Sequence, residues 1–152
     1  MTKTKRAWVF EQRKNRRIVI QPELCSGCRT CELVCALYHE GESNPSLSRI
    51  HVKRDFFEAE YIPVTCLQCK YPPCYYACPV DGALIIDKNT GSKVIIEEKC
   101  TGCGTCARIC PYNEKDKIIR YNPQKTKCFK CDLCGGNPQC VKACRWMALK
   151  YE

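Results

Sequence analysis

The chain has 152 residues and a formal net charge of +9, from 25 basic and 16 acidic side chains. Cysteine is the anomaly at 17 residues, and the remaining apolar side chains are too few for a core of hydrocarbon alone. No apolar run approaches the ~18 residues of a membrane span. The basic start of the chain lacks an apolar stretch, so we expect no secretory signal. An odd cysteine count in such a chain argues against a disulfide framework.

The elements predicted in chain order are short. Residues 8–20 predict a hairpin, with Trp8–Phe10 as its first strand and Ile18–Ile20 as its second. The spacing then predicts a helix around 31–37, a polar turn at 40–48, strands at 50–52 and 61–64, a hairpin formed by 83–86 and 93–96, and a closing strand at 146–151. Together these elements indicate an α+β fold.

The cysteines form an internal repeat of four groups. The groups are Cys25, Cys28, Cys31, Cys35; then Cys66, Cys69, Cys74, Cys78; then Cys100, Cys103, Cys106, Cys110; and finally Cys131, Cys134, Cys140, Cys144. The fourth stretch has five cysteines, and the register that begins at Cys131 keeps the terminal x3-Cys of the other groups. That register leaves Cys128 over, and we expect Cys128 to be a buried thiol and not a ligand.

The spacing C-x2-C-x2-C-x3-C indicates iron–sulfur clusters. A C-x2-C-x2-C segment wraps a tight loop whose three thiolates converge on one compact object, and the fourth cysteine faces a different centre. This is the run of bacterial ferredoxins, in which the fourth cysteine ligates the other cluster of a pair. Zinc is the main rival, because sites built from two C-x2-C pairs are common, but zinc gains nothing from an offset fourth cysteine.

The charge balance agrees with four [4Fe–4S] clusters. Each oxidised cluster with four thiolates carries about −2, so four clusters would bring the net charge from +9 to about +1. The excess of lysine and arginine is therefore first interpreted as compensation for cluster charge. The basic arm comprises residues 3–17, and we expect it to be a solvated surface. A docking patch for an acidic partner is the second interpretation and a nucleic-acid contact the third.

The order of the groups predicts two bacterial-ferredoxin-like units, one inserted in the other. Residues 61–112 contain groups two and three with a hairpin between them, as in a complete two-cluster ferredoxin. Residues 1–60 and 113–152 contain groups one and four and would form the other unit. Each unit is expected to hold two [4Fe–4S] clusters.

The four-group order resembles the four-cluster iron–sulfur subunits of the DMSO reductase type. The resemblance covers residues 18–150 and rests on three motifs: Cys28-Arg29-Thr30-Cys31-Glu32-Leu33-Val34-Cys35, Lys130-Cys131-Asp132-Leu133-Cys134 and Cys140-Val141-Lys142-Ala143-Cys144. Two departures are a five-residue middle gap in the fourth group and the lack of long insertions. The compact form is similar to the polyferredoxin subunits of tungsten-dependent aldehyde oxidoreductases, and comparable subunits serve carbon monoxide dehydrogenases, hydrogenases and molybdopterin enzymes.

The resemblance implies how the sixteen ligands pair. It implies one cluster on Cys25, Cys28, Cys31 and Cys144, a second on Cys131, Cys134, Cys140 and Cys35, a third on Cys66, Cys69, Cys74 and Cys110, and a fourth on Cys100, Cys103, Cys106 and Cys78. It also implies a cytoplasmic location, an anaerobic metabolism and a catalytic partner subunit with tungsten or molybdenum. Further expected partners are a flavin- or NAD-linked redox subunit and other copies of the chain, which would stack and extend the relay.

Catalytic motifs are missing from the sequence. There is no dinucleotide-binding fingerprint, P-loop or Ser/His/Asp set. We expect His39 to be a capping or surface residue and His51 to lie in a strand. The acids Glu58, Glu60, Glu97 and Glu98 are interpreted as solvated. The predicted function is therefore a non-catalytic electron relay, with a free-standing polyferredoxin, an iron–sulfur nucleic-acid-binding or sensor protein, and a structural zinc-binding interaction module as the alternatives.

Overall fold

The computed structural model describes residues 14–152. Within this range eight short strands form four two-stranded antiparallel sheets. The strands are β1 (Ile18–Ile20), β2 (Ile50–Asp55), β3 (Glu60–Thr65), β4 (Leu84–Ile86), β5 (Lys93–Ile95), β6 (Arg120–Asn122), β7 (Lys127–Phe129) and β8 (Leu149–Tyr151). The α-helices are α1 (Thr30–Glu40), α2 (Pro73–Ala77), α3 (Thr105–Ile109), α4 (Asn113–Asp116) and α5 (Gln139–Ala143), and 3-10 turns cover Pro22–Leu24, Pro45–Leu47 and Leu133–Gly136. The fold is α+β, as the sequence predicts.

The first and last strands of the described chain pair with each other. β1 and β8 are antiparallel, with Ile18 opposite Tyr151 and Ile20 opposite Leu149. The predicted closing strand is thus confirmed over its last three residues, while Arg145 and Trp146 lie in a turn before it. The predicted partner of β1, Trp8–Phe10, lies outside the described residues.

The two strands around residue 57 form the longest hairpin. β2 pairs with β3 along six residues each, with Ile50 opposite Thr65 and Asp55 opposite Glu60. The predicted strands at 50–52 and 61–64 are therefore confirmed and are longer than expected. At the turn, the Asp55 carboxylate accepts backbone N–H bonds from Phe57 and Glu58 at 2.9 and 3.1 Å. These bonds satisfy backbone donors that a tight turn leaves unpaired.

The glycine-containing hairpin predicted in the middle of the chain is present as β4 and β5. Its turn is held by Asp87, whose carboxylate accepts from the Thr90 backbone N–H at 3.0 Å, and by Gly91, whose φ is +75°. A third hairpin, β6–β7, was not predicted. Its turn has no glycine, and the Asn122 side chain closes it by accepting backbone N–H bonds from the two residues Gln124 and Lys125.

Two hydrophobic cores organise the described chain. The first contains Ile18, Cys31, Cys35, Ile50, Cys131, Leu133, Cys140 and Leu149, and the second contains Val64, Cys74, Leu84, Cys106, Ile118, Ile119 and Cys128. Helix α1 packs against α5, and α2 packs against α3. The first core thus gathers cysteines of groups one and four, and the second gathers those of groups two and three. None of the helices in residues 14–152 has the length and apolarity needed to cross a membrane.

Candidate functional site

The four cysteine groups share one backbone feature. The residue two positions after the first cysteine of each group has a left-handed conformation, with φ of +73° at Gly27, +50° at Gln68, +70° at Gly102 and +60° at Leu133. Such a conformation is uncommon outside glycine, and it bends the chain tightly around the cysteine side chains. In the fourth group the left-handed residue is Leu133, two positions after Cys131, and Lys130, two positions after Cys128, does not have this conformation. This agreement supports the register that begins at Cys131.

The third cysteine of each group has the same place in its helix. Cys31, Cys74, Cys106 and Cys140 are each the second residue of α1, α2, α3 and α5, and each is at most 9 % exposed. The fourth cysteine directly follows the helix in groups two, three and four, whereas Cys35 lies inside the longer α1. In every group three helical residues therefore separate the third cysteine from the fourth.

One apolar cavity is lined by four cysteines of groups two and three. Cys66, Cys69, Cys74 and Cys110 surround about 380 Å³ of atom-free space, including the part that opens to solvent. Pro72, Pro73, Pro111, Ile118 and Ile119 complete much of the lining. Four sulfurs converging on a largely apolar space are the donor set that an iron–sulfur cluster takes.

A second apolar cavity is lined by Cys78, Cys100, Cys103 and Cys106, and also by Cys128. Cys128 is 2 % exposed, which confirms that this thiol is buried. Hydrogen bonds from the Cys106 side chain lower the pKa of Cys128 to about 6. The structure therefore places a fifth sulfur at this site, a position that the spacing did not indicate.

Groups one and four meet in the first core. The Cys140 thiol has Cys131, Cys35 and Cys134 as neighbours. Burial raises the pKa of Cys140, and the charges of these three thiolates raise it further. Burial also raises the pKa of Cys31 to about 12, with smaller contributions from Glu32 and from Cys25 and Cys28 of the same loop. Cys144 packs against the same core.

Burial sets the protonation of the thiols in the metal-free chain. It raises the pKa of Cys74 to about 11 and that of Cys131 to about 12. The exposed thiols behave in the opposite way, because hydrogen bonds with Thr30 and Thr105 lower the pKa values of Cys28 and Cys103. Since a metal binds the thiolate, loading the buried sites must release protons.

Hydrogen-bond donors point at several sulfurs. The backbone N–H of Arg49 donates to Cys35 Sγ at 3.2 Å, and those of Gly102 and Leu133 donate to Cys100 and Cys131 Sγ at 3.4 Å. Such bonds stabilise negative charge on a ligating sulfur and are one of the protein's controls over cluster potential.

His39 lies beside a predicted ligand. Its ring is largely buried, and its Nε2 is 3.5 Å from Cys134 Sγ and 3.4 Å from Asp132 Oδ1. Burial, and then the nearby Arg49, lower the pKa of His39. The expectation of a surface or capping role was wrong, because the last turn of α1 packs against the fourth cysteine group.

Two lysines that spacing could not single out are also buried. Lys93 and Lys130 are each 3 % exposed, and both lie near sulfurs of group two.

Of the basic arm, Lys14, Arg16 and Arg17 are exposed, and residues 3–13 lie outside the described part. Of the acids expected to be solvated, Glu58 and Glu60 are exposed, whereas Glu97 is half-buried and accepts from Lys125 at 3.2 Å.

Sixteen cysteines in four equivalent loops, with sulfur-lined apolar cavities, define the chain as an iron–sulfur protein. Comparison with known proteins agrees. Residues 57–152 match the model of the 4Fe-4S dicluster domain. The protein belongs to this family.

Similar proteins include several with electron-transfer names. The polyferredoxin-like subunit of an aliphatic sulfonate oxidoreductase from Pyrococcus furiosus is 47 % identical over 127 residues, covering 84 % of this chain and 70 % of that protein. The electron transport protein HydN of Escherichia coli is 33 % identical over 156 residues, covering 89 % and 86 %. A subunit of the anaerobic dimethyl sulfoxide reductase of Escherichia coli is 33 % identical over 150 residues, covering 87 % and 70 %.

Solved structures show the same likeness. A subunit of the active-site complex BamBC of benzoyl coenzyme A reductase, in complex with benzoyl-CoA, superposes with a TM-score of 0.52 at 29 % identity, covering 90 % of this chain and 78 % of that one. The protein is thus a non-catalytic electron-transfer protein of the kind found as iron–sulfur subunits of oxidoreductases.

Proposed function

We propose that this chain relays single electrons through four [4Fe–4S] clusters between a catalytic oxidoreductase subunit and another redox partner. The observation that carries the proposal is the recurrence of one loop four times, each with a left-handed residue two positions after its first cysteine. A [4Fe–4S] cluster needs four thiolates, and the four groups supply sixteen. When bound, the clusters supply one-electron chemistry, and the chain's own residues hold them and tune their potentials.

The proposed ligands follow the crossed pairing. Cys25, Cys28, Cys31 and Cys144 would hold cluster A; Cys131, Cys134, Cys140 and Cys35 cluster B; Cys66, Cys69, Cys74 and Cys110 cluster C; and Cys100, Cys103, Cys106 and Cys78 cluster D. The two cavities that each collect one of the last two sets support clusters C and D. The proximity of Cys35 to Cys134 and Cys140 supports cluster B.

We propose that electrons pass along the order A, B, C, D in one direction or the other. Clusters A and B would share the first core. Cys131 of cluster B interacts electrostatically with Cys66 of cluster C, and Cys106 of cluster D with Cys74 of cluster C. At the two ends, Cys28 and Cys103 are exposed. Exposed sulfurs at both ends would let partners approach the terminal clusters.

The separation of the cysteine groups between two cores supports a division into two inserted units, and Ile118, Ile119 and Cys128 from residues 113–152 complete the second core. In this proposal residues 61–112 hold clusters C and D, and residues 1–60 with 113–152 hold clusters A and B. The β2–β3 hairpin crosses the boundary at residue 60, so its two strands would connect the units.

The proposed partner is a catalytic subunit with tungsten or molybdenum, of the aldehyde oxidoreductase type. Support comes from the printed names of relatives, which include subunits of sulfonate and dimethyl sulfoxide oxidoreductases. A flavin- or NAD-linked subunit would take electrons at the other end, and copies of the chain could extend the relay. The proposed setting is the cytoplasm of an organism in anaerobic metabolism, since exposed clusters are oxygen-labile.

Two experiments test the proposal. Anaerobic affinity purification from the native host should yield the chain with a second protein that carries tungsten or molybdenum, whereas iron in a lone chain would favour a free-standing polyferredoxin. Cys35→Ser should disturb cluster B, although Cys35 belongs to group one. Loss of cluster A alone in this variant would contradict the crossed pairing.

A further inference from the structure

Lys130 occupies the contact between the two cores. Lys130 is 3 % exposed, and its Nζ lies 3.4 Å from Cys66 Sγ and 3.3 Å from the backbone oxygen of Cys131. Cys66 belongs to proposed cluster C, and Cys131 belongs to proposed cluster B. The ammonium therefore lies where an electron would cross from one pair of clusters to the other.

The charge of Lys130 has no carboxylate to balance it. Among residues 14–152, no aspartate or glutamate forms an ion pair with its Nζ. A buried ammonium is unfavourable unless negative charge compensates it. In a loaded site the Cys66 sulfur would carry the charge of a thiolate, and it lies 3.4 Å from the Lys130 Nζ. The sulfur of a proposed ligand is thus the counter-charge that the geometry offers.

Lys93 provides a contrast at the same junction. Its Nζ donates to the Gln68 backbone oxygen at 3.1 Å and to Asn15 Oδ1, and no hydrogen bond joins it to a sulfur in the described chain. Burial and the nearby Lys130 lower the pKa of Lys93 to about 8. Lys93 also lines the cavity of the cluster C cysteines. The two equally buried lysines therefore differ in the hydrogen bonds of Nζ: Lys93 donates to oxygen atoms, whereas Lys130 also contacts a ligand sulfur.

We propose that Lys130 raises the reduction potential of cluster C, because its ammonium group holds a fixed positive charge 3.4 Å from the Cys66 sulfur. The proposal rests on the proposed four-cluster relay. One-electron reduction makes a cluster more negative by one charge, and the electron comes from the neighbouring cluster, which becomes less negative by one. A nearby cation stabilises the reduced form, and it does so more strongly where water is excluded. Cluster B is affected less, because Lys130 contacts a carbonyl oxygen of that group and not its sulfur.

The test is an anaerobic redox titration followed by electron paramagnetic resonance, on the full chain with all clusters loaded. Lys130→Gln keeps N–H donors near the sulfur and removes the charge, and Lys130→Met removes both. Lys130→Arg keeps the charge, and Lys93→Gln is the matched control. The signal of cluster C is assigned as the one that changes in Cys69→Ser.

Lys130→Gln should shift the oxidised-to-reduced equilibrium of cluster C at least tenfold toward the oxidised form, which is about 59 mV for one electron. Lys130→Met should give a shift at least as large, and Lys130→Arg and Lys93→Gln smaller ones.

An equilibrium of cluster C that moves less than threefold in both neutral variants would overturn the proposal. So would the loss of clusters in both of them, since the charge would then serve assembly and not potential. Failure of the underlying relay looks different, because the unmutated chain itself would then hold fewer than four clusters.

Discussion

Gln68 joins the two halves of the described chain, and its replacement is expected to weaken the junction. Its side chain is fully buried: Nε2 donates to the Cys131 backbone oxygen at 2.9 Å, and Oε1 accepts from the Lys93 backbone N–H at 2.8 Å. Gln68→Met has nearly the same shape and makes neither bond. The Cys131 oxygen would keep its contact with Lys130, whereas the Lys93 N–H would have no partner.

The size of the effect follows from these two bonds. An unpaired buried N–H costs about 1–3 kcal/mol, and the lost bond to Cys131 costs about 0.5–1.5 kcal/mol. Together Gln68→Met should lower the free energy of unfolding by about 1.5–4.5 kcal/mol. For a domain of this size the midpoint of thermal unfolding would fall by about 3–18 °C.

The assay is anaerobic heating of the loaded protein, monitored by visible absorbance of the clusters and by circular dichroism at one scan rate. Gln124→Met is the matched control, since Gln124 is exposed in the β6–β7 turn and only its backbone bonds to Asn122. The control should stay within about 0.5 kcal/mol of the parent. Equal midpoints for Gln68→Met and Gln124→Met would refute the assigned role of Gln68.

Three further predictions concern single residues. Gly102→Ala should remove one cluster, or about four irons per chain, because φ there is +70° and an added Cβ would lie 2.3 Å from the Thr126 oxygen. Gly41→Ala, with φ of +73° and open space around it, should keep all the iron. His51→Gln should flatten the fall in thermal midpoint between pH 6.5 and 4, because burial and Arg120 lower the pKa of His51 to about 4. The unfolded protein takes up that proton first, so this stability is present above pH 6.5 and lost as pH falls. Cys128→Ser should leave the iron content unchanged, and a loss of about four irons would make Cys128 a ligand.

Features tied to local spacing were predictable from the sequence. The helix after the first loop, the β4–β5 hairpin and the closing strand each carry their own short-range signal, and all are present. The β6–β7 hairpin was missed because its turn depends on the Asn122 side chain and has no glycine. A side-chain cap of this kind leaves little trace in composition.

The surroundings of the cysteines were less predictable than the cysteines themselves. Spacing finds ligands because one rigid object must be gripped at fixed separations along the chain. The burial of Lys130 and His39 depends on contacts between residues more than 60 positions apart. No periodicity within either segment reports such contacts, so a buried lysine looks like a surface lysine until the chain is folded.

Iron and acid-labile sulfide in the anaerobically purified, unmutated chain test the central claim most directly. Four [4Fe–4S] clusters predict about sixteen of each per chain and a brown protein. About eight of each would reduce the relay to two clusters. A colourless protein with stoichiometric zinc would contradict the account, because zinc has a filled d shell and its thiolate sites cannot accept or donate electrons.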